Sequence, residues 1–274
     1  NYDYLGLSTK VKDNASLSFS MVRLGVDGIP NTTNLIQNGQ INYDRITSFS
    51  AVDYAFFVSY AQSVSDNLSF GGSAKIISRS GGDFAKAWGF GIDAAMKYKS
   101  DNDWSFGLVI RDVTTTFNVW NYSFTEAEEQ IFVQTGNEIP SNSLELTLPK
   151  LMLGAAKKVE FGSDYTLLAE LDADISTDGK RNTLIRSNFA SIDPHMGVEF
   201  GYKDIIFLRG GIGNVQQEKD LEYVQQWTFQ PNMGLGINLK KIKIDYALTN
   251  LGDLSAAQLS HVFSIRATVN PESK

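Results

Sequence analysis

The sequence contains no cysteine, so none of its 274 residues can form a disulfide, a thiolate metal site or a thiol nucleophile. Histidine is nearly absent as well, since only His195 and His261 occur and they do not have metal-ligand spacing. We interpret both histidines as structural or interfacial residues. Neither lies in a context that supports a Ser-His-Asp arrangement, so the sequence predicts a non-enzymatic protein with no metal and no cofactor.

The chain also lacks an excess of positive charge and any long hydrophobic run. A net charge of −7 argues against nucleic acid as a partner. Hydrophobic residues make up 42% of the chain, yet the mean hydropathy is −0.17. No run approaches the roughly 18 apolar residues that a membrane-spanning helix needs. A slightly acidic soluble protein would share these properties.

What the sequence does contain is a recurring segment of about ten residues in which large apolar side chains alternate with small or charged ones. Val52–Tyr60 and Trp88–Tyr98 show the pattern well. Strands of a soluble β-sandwich alternate too, but they are usually only about five or six residues long. Longer alternating segments favour transmembrane strands, whose side chains face lipid and lumen in turn.

Short and long connections alternate between these segments. The short ones are Lys10–Asn14, Ser63–Asn67, Lys99–Asp103, Glu160–Asp164, Tyr202–Asp204 and Leu239–Lys241. The long ones are Gly25–Arg45, Arg79–Lys86, Val113–Glu145, Ser176–Ser191, Asn214–Gln226 and Asn250–Ser260. This order is typical of tight periplasmic turns and long external loops. It predicts a barrel in the outer membrane of a Gram-negative-type envelope, surrounded by outer-membrane lipid.

Thirteen strands can be counted in an all-β, antiparallel transmembrane barrel. They are Tyr2–Thr9, Ala15–Leu24, Thr47–Ala61, Leu68–Ser78, Ala87–Tyr98, Trp104–Asp112, Leu146–Val159, Tyr165–Ile175, Asp193–Gly201, Ile205–Gly213, Trp227–Asn238, Ile242–Leu248 and His261–Val269. Bacterial single-chain barrels have even strand numbers. We therefore expect residues 1–274 to form one barrel domain whose N-terminal strand or plug segment is missing, with fourteen strands in the complete chain.

Several strand motifs resemble the PorV/PorQ family, namely Val52–Ala61, Leu68–Ile77, Gly89–Ala95 and Trp104–Leu108. The resemblance covers most of the chain and implies a fourteen-stranded barrel similar to fatty-acid transporters of the FadL type. It also implies a role in type IX secretion, where PorV-like barrels associate with a giant translocon barrel and receive cargo carrying a C-terminal signal domain. The family's N-terminal segment, with an Asn-Pro-Ala motif, is absent from this sequence.

Three functional hypotheses follow from these features. The leading one is an accessory or shuttle barrel in type IX secretion that binds a translocon subunit or a cargo domain through external loops. The second is a FadL-like transporter of hydrophobic small molecules, which predicts an apolar pocket in the lumen and would be contradicted by a lumen packed with ion pairs. The third is a soluble β-protein with lectin-like binding.

Two sets of residues are candidates for the functional site. The loop Val113–Glu145 carries an aromatic set that we interpret as a partner-binding surface or, alternatively, as a loop that folds inward and packs on itself or narrows the pore. Its members are Phe117, Trp120, Tyr122, Phe124 and Phe132. A second set of charged residues lies within the strands, where it would form either a lumen network of paired charges or a polar conduit. Its members are Lys75, Asp93, Arg111, Glu170, Asp172, Asp245 and Arg266.

Overall fold

A computed structural model of the chain describes residues 1–33, 35–37, 40–219, 224–250 and 259–269. Eighteen strands account for most of the described residues, accompanied by one α-helix and one short 3-10 helix at Tyr43–Arg45. None of the helices in this part of the chain is long and apolar enough to cross a membrane.

The strands of the first half are β1 (Tyr2–Lys12), β2 (Ala15–Asn31), β3 (Ile36–Gln37), β4 (Gln40–Ile41), β5 (Thr47–Ser63), β6 (Leu68–Gly81), β7 (Ala85–Lys99), β8 (Trp104–Arg111) and β9 (Thr116–Tyr122). The helix α1 (Glu126–Gln134) follows β9. The remaining strands are β10 (Ser143–Thr147), β11 (Lys150–Phe161), β12 (Tyr165–Ser176), β13 (Ile185–Arg186), β14 (Ser191–Tyr202), β15 (Ile206–Lys219), β16 (Gln225–Leu239), β17 (Ile242–Asn250) and β18 (Leu259–Ala267).

The chain divides into two compact units. The first unit comprises residues 1–64, 70–94 and 111–149, and the second comprises residues 65–69, 95–110 and 150–274. The sheet order in the first unit is β1-β2-β5-β6-β7, and in the second it is β8-β11-β12-β14-β15-β16-β17-β18. These five and eight strands correspond to the thirteen strands predicted from alternation.

Three predicted connections are shorter than expected because their flanking strands continue further. Strand β2 reaches Asn31 instead of Leu24, β6 reaches Gly81 instead of Ser78, and β15 reaches Lys219 instead of Gly213. Backbone hydrogen bonds between antiparallel strands do not depend on apolar side chains, so pairing continues where the alternation has become polar. Most of the predicted connection Asn250–Ser260 lies outside the described residues.

The prediction of one long loop at Val113–Glu145 is wrong, because this segment contains β9, α1 and the start of β10. Strand β9 pairs with the first part of β7, and β10 pairs with β9. The predicted strand Leu146–Val159 is correspondingly divided at Leu148-Pro149, between β10 and β11. Pro149 has no backbone N–H to donate to a ladder, which disfavours strand pairing at this position.

The helix α1 begins with a capping box. The backbone N–H of Thr125 donates to the Glu128 carboxylate at 2.8 Å, and the backbone N–H of Glu128 donates to the Thr125 hydroxyl at 3.3 Å. Two N–H groups that lack partners inside the helix are thereby satisfied. The helix consequently starts at a defined residue, directly after the aromatic residues of β9 and the short segment that follows it.

Each unit has one apolar face and one face of small and charged residues. In the second unit Leu171, Met196 and Ile212 are register neighbours on the apolar face. One residue earlier on β12, Glu170 neighbours Gly197 and Gly211 on the opposite face. The large residues of the apolar face are exposed, as Leu171 and Met196 show at 57% and 58%. A surface of this kind fits lipid contact in a barrel, where the other face lines the lumen.

Candidate functional site

A buried charge cluster anchors the start of β9 to β6 and β7 in the first unit. The ammonium group of Lys75 lies 2.8 Å from an Asp93 carboxylate oxygen and 2.5 Å from one of Asp112. Lys75 is only 4% exposed. The backbone N–H of Asp112 donates to Asp93 at 2.8 Å, and the hydroxyl of Thr116 donates to the Asp112 carboxylate. The turn before β9 is held here although Asp112 and Thr115 both have left-handed φ angles, of 56° and 63°.

Two glycines of β7 leave space for polar side chains of the neighbouring strand β9. In the register, Gly89 is opposite Asn118. A Cβ on Gly89 would overlap the Asn118 amide, and one on Gly91 would overlap the Thr116 hydroxyl. Thr116 and Asn118 are buried for this reason, at 1% and 3% exposure.

A cavity of about 240 Å³ opens beside this part of the first unit. One part of its lining is mainly apolar and consists of Val22, Leu24, Tyr54, Ala55 and Ile77. The other part is polar and consists of Asp53, Arg79, Asn118, Glu145 and Thr147. The cavity therefore combines an apolar lining with a small number of polar groups, as binding pockets for small molecules do.

Arg79 is the one cation among the residues that line this cavity, and two carboxylates hold it. Its Nε lies 3.1 Å from Asp53, and its guanidinium lies 3.1 Å from Glu145. The guanidinium also stacks on the indole ring of Trp120, at 4.9 Å from the ring centroid. The Trp120 Nε1–H donates to Glu145 at 2.7 Å, so one residue of β9 contacts both partners of this ion pair.

A series of ring contacts, which we call the aromatic ladder, begins at Trp120. Trp120 stacks on Tyr122 at 6.0 Å, and Tyr122 stacks on Phe124 at 6.2 Å. Phe124 then contacts Phe132 of α1 at 5.1 Å, edge to face. The ladder also reaches the neighbouring strand ends through the pairs Phe124–Phe84 at 5.9 Å and Phe84–Phe49 at 5.1 Å. Its members are all half-buried.

The structure brings together four of the five predicted partner-binding residues. Trp120, Tyr122, Phe124 and Phe132 all belong to the aromatic ladder. Phe117 does not, since it lies on the opposite face of β9, in register with Phe90, and is 45% exposed. Binding of a protein partner through these residues stays a prediction.

In the first unit, the predicted lumen charges are only partly paired with one another. Lys75 and Asp93 form an ion pair, as a charge network requires. The second carboxylate on Lys75 belongs to Asp112, the residue after the predicted Arg111, whereas Arg111 itself is exposed. Asp112 was missed because it was predicted to be the last residue of a strand, so its side chain was not assigned to either face of the sheet.

In the second unit, the predicted charges lie on the glycine-rich face. Glu170 and Asp172 are neighbours along β12, and Asp245 accepts a hydrogen bond of 2.6 Å from Arg209. Arg209 also donates to Glu199 at 2.6 Å. Arg266 is exposed and lies opposite Lys243 in the register. The lumen network as a whole stays a prediction.

Arg209 is the charged residue in this unit that sequence reasoning missed. It is the only charged residue of the predicted strand Ile205–Gly213, which was an available signal. A recess of about 350 Å³ surrounds it, and glycines contribute much of the lining, at positions Gly197, Gly210, Gly211 and Gly234.

Both histidines lie beside other polar side chains, although the buried Nε2 atom of His195 has no hydrogen-bond partner among the described residues. The Nε2 atom of His195 lies 3.5 Å from Asp193 and 3.8 Å from Asp174, and the Nδ1 atom of His261 lies 2.8 Å from the Tyr246 hydroxyl. Among the residues that the structure describes, no three His, Cys, Asp or Glu side chains are grouped so that they could hold a metal ion.

No protein-family model matches the sequence, and no curated protein matches it. Solved structures do match. The toluene transporter TodX of Pseudomonas putida is 12% identical, with 96% of this chain and 79% of that chain covered and a TM-score of 0.55. The monoaromatic hydrocarbon channel CymD is 11% identical, with 97% and 82% covered and a TM-score of 0.55. A FadL homologue of Pseudomonas aeruginosa is 13% identical, with 90% and 68% covered and a TM-score of 0.51.

At these identities the likeness shows the fold. The chain has the antiparallel β-barrel fold of FadL-like outer-membrane proteins, which confirms the predicted fold class and is consistent with the predicted outer-membrane location. The FadL-like barrel implied by the resemblance is therefore supported. The matches do not fit an assignment to the PorV/PorQ family.

Proposed function

We propose that this protein is a non-enzymatic outer-membrane barrel through which small hydrophobic molecules cross the outer membrane of a Gram-negative-type envelope. The observation that carries the proposal is the connection between the aromatic ladder and the cavity of the first unit. Trp120 ends the ladder and contacts Arg79 and Glu145, which both line the cavity. A hydrophobic solute, which is much smaller than a protein partner, would find an apolar lining in the cavity and half-buried rings of the ladder beside it.

The charges of the first unit are compatible with this function because they occur in compact clusters. Lys75 is enclosed by Asp93 and Asp112, and Arg79 is held between Asp53 and Glu145. Ion pairs therefore do not fill the cavity, whose lining includes Val22, Leu24, Ala55 and Ile77. The transporters and channels with the same fold, TodX and CymD, act on toluene and on monoaromatic hydrocarbons. Fold likeness alone is a weak warrant for function, so the cavity and the ladder are the main support.

The secretion role implied by the PorV/PorQ resemblance has less support. A partner surface needs aromatic side chains that are free to bury against another protein. Trp120, Tyr122, Phe124 and Phe132 already pack on one another, which leaves less of their surface for a translocon subunit or a cargo domain. We therefore prefer the transport of small molecules to an accessory role in type IX secretion.

Uptake by intact cells tests the proposal. The full chain is expressed in a Gram-negative strain without a channel for apolar solutes, and the initial uptake of radiolabelled toluene is compared with that of a sugar of similar mass. We expect faster toluene uptake and unchanged sugar uptake. Trp120→Ala should slow toluene uptake up to about tenfold, since an aromatic contact contributes ~0.5–1.5 kcal/mol beyond buried area.

Trp88→Ala is the matched control. Trp88 is 59% exposed and lies on the apolar face of β7, in register with Val119, so its loss should leave toluene uptake unchanged. Each variant is compared at an equal amount of folded protein in the outer-membrane fraction. Toluene uptake equal to that of cells without the chain would contradict the proposal. Copurification of a translocon subunit with no effect on uptake would favour the secretion role instead.

A further inference from the structure

The cavity of the first unit contains a polar group that passage of a pure hydrocarbon does not need. Asn118 lines the cavity and is 3% exposed. Its amide oxygen is buried and has no hydrogen-bond partner within the described part of the chain. A buried amide without a partner is unfavourable, and such a group in a pocket requires an explanation.

The position of Asn118 is fixed by its neighbours on both sides. In the register it lies between Gly89 of β7 and Glu145 of β10. The backbone of Gly89 closes one side, since even a Cβ there would overlap the amide. The terminal amide can still rotate by half a turn, which exchanges its donor and acceptor ends. In the orientation described, the amide oxygen is buried against Gly89, so a ligand in the cavity can reach it only after this half-turn, and a hydroxyl group can then donate to it.

The charges around the cavity act against an anionic ligand. Arg79 is the single cation of the lining, and its guanidinium is already paired with Asp53 and Glu145. One positive and two negative charges leave a formal charge of −1 at the polar wall. A carboxylate ligand would have to displace one of these pairs and approach the other carboxylate.

The cavity has room for a ligand of at least one ring. An apolar cavity of about 150 Å³ holds benzene. The cavity here measures about 240 Å³, which leaves space for one substituted benzene ring. Trp120, which stacks on the lining residue Arg79, is the nearest member of the aromatic ladder.

We infer that this cavity selects uncharged single-ring aromatic compounds that carry a hydroxyl group, and that it discriminates against aromatic carboxylates. The hydroxyl group would bind the Asn118 amide, and the ring would pack on the apolar lining. The inference rests on the proposed function, because it names the class of solute that the same cavity binds.

Binding of three matched probes to the folded full chain in detergent micelles tests the inference. Toluene, p-cresol and p-toluate share one ring and differ in one substituent. Dissociation constants are measured by ligand-observed NMR and corrected with protein-free micelles. We expect p-cresol to bind about tenfold more tightly than toluene, and p-toluate to bind more weakly than both.

Asn118→Leu keeps a side chain of similar size and removes the hydrogen bond. We expect it to abolish the advantage of p-cresol while toluene binding stays within about twofold. Asn232→Leu is the matched control, because Asn232 lines the recess of the second unit. The ranking of the three probes on the unmodified chain is informative even if Asn118→Leu fails to fold.

Two results would overturn the inference while leaving the proposed function intact. One is equal affinity for toluene and p-cresol, and the other is p-toluate binding as tightly as p-cresol. The absence of binding for all three probes would overturn both the inference and the proposed function.

Discussion

Replacement of Lys75 by methionine should strongly destabilise the first unit. The Lys75 side chain is 5% exposed, and those of its partners Asp93 and Asp112 are 16% and 10% exposed. Methionine fills much of the same volume but leaves two buried carboxylates without their cation. Breaking a buried ion pair by removing one partner costs about 3–5 kcal/mol. A barrel with a typical unfolding free energy of about 5–15 kcal/mol would lose a large share of it.

The measurement is urea-induced unfolding of the full chain in lipid vesicles, followed by tryptophan fluorescence. Lys158→Met is the matched control, because the Lys158–Glu160 pair has the same geometry, 2.8 Å, but is 43% and 67% exposed. An exposed pair contributes about 0–1 kcal/mol, so this variant should unfold nearly as the unmodified chain does.

A triple variant separates charge from packing. Asp93→Asn and Asp112→Asn keep a carbonyl acceptor for the backbone N–H of residue 112 and for the Thr116 hydroxyl, but remove both negative charges. Combined with Lys75→Met, these two changes should restore most of the lost stability. If the single and triple variants unfold at the same urea concentration, or if Lys75→Met costs no more than Lys158→Met, the buried charges are not what makes Lys75 essential.

Two further outcomes are expected. Gly89→Ala should lower the free energy of unfolding by about 1–3 kcal/mol in the same assay, because the new Cβ overlaps the Asn118 amide. Gly107→Ala is the control and should change this free energy little, because the space around Gly107 is open. Equal effects of the two substitutions would contradict the packing argument. The hydrogen bonds from Arg181 hold the pKa of Asp178 below its ordinary value of 3.8. Their stabilisation is therefore present above pH 3.8 and is lost as the pH falls through the lower folded value, so the protection of the Arg181 amide relative to its intrinsic exchange rate should fall there. Asp178→Asn should remove this pH dependence, and an unchanged profile would refute the assignment.

The strands were predictable from sequence because the membrane imposes a simple pattern. A strand between lipid and lumen must alternate, and Leu171 against Glu170 shows the alternation in a single residue step. Alternation no longer identifies a strand where the strand continues beyond its apolar residues. Strand β15, for example, continues through polar residues to Lys219, six residues beyond its predicted end. Alternation without an apolar face was interpreted as loop. Strand β9 does have an apolar face, with Phe117 and Val119, but it lies inside the segment predicted as one long loop.

The candidate site was less predictable, because it depends on register rather than on composition. The aromatic residues between Val113 and Glu145 could be named, but their division into two faces requires the pairing of β9 with β7. Once that pairing is known, Trp120 and Tyr122 fall on one face and Phe117 on the other. Sequence alternation alone gave the faces of a strand, but it could not show that a second strand follows the sharp turn at Asp112–Thr115.

The glycines show how sequence alternation and strand register complement each other. The small-residue faces of the strands contain glycines. The register shows that several of them make space for one polar side chain on the neighbouring strand. Gly89 accommodates Asn118, and Gly236 accommodates the contact between Arg209 and Asp245. The side chain that fills this space belongs to the partner strand. A glycine in a barrel sequence therefore predicts a polar residue at the paired position of the neighbouring strand, but it does not identify that residue. Asn118 is therefore a residue that only the paired sheet could reveal, and both Asn118 and Arg209 line the cavities of their units.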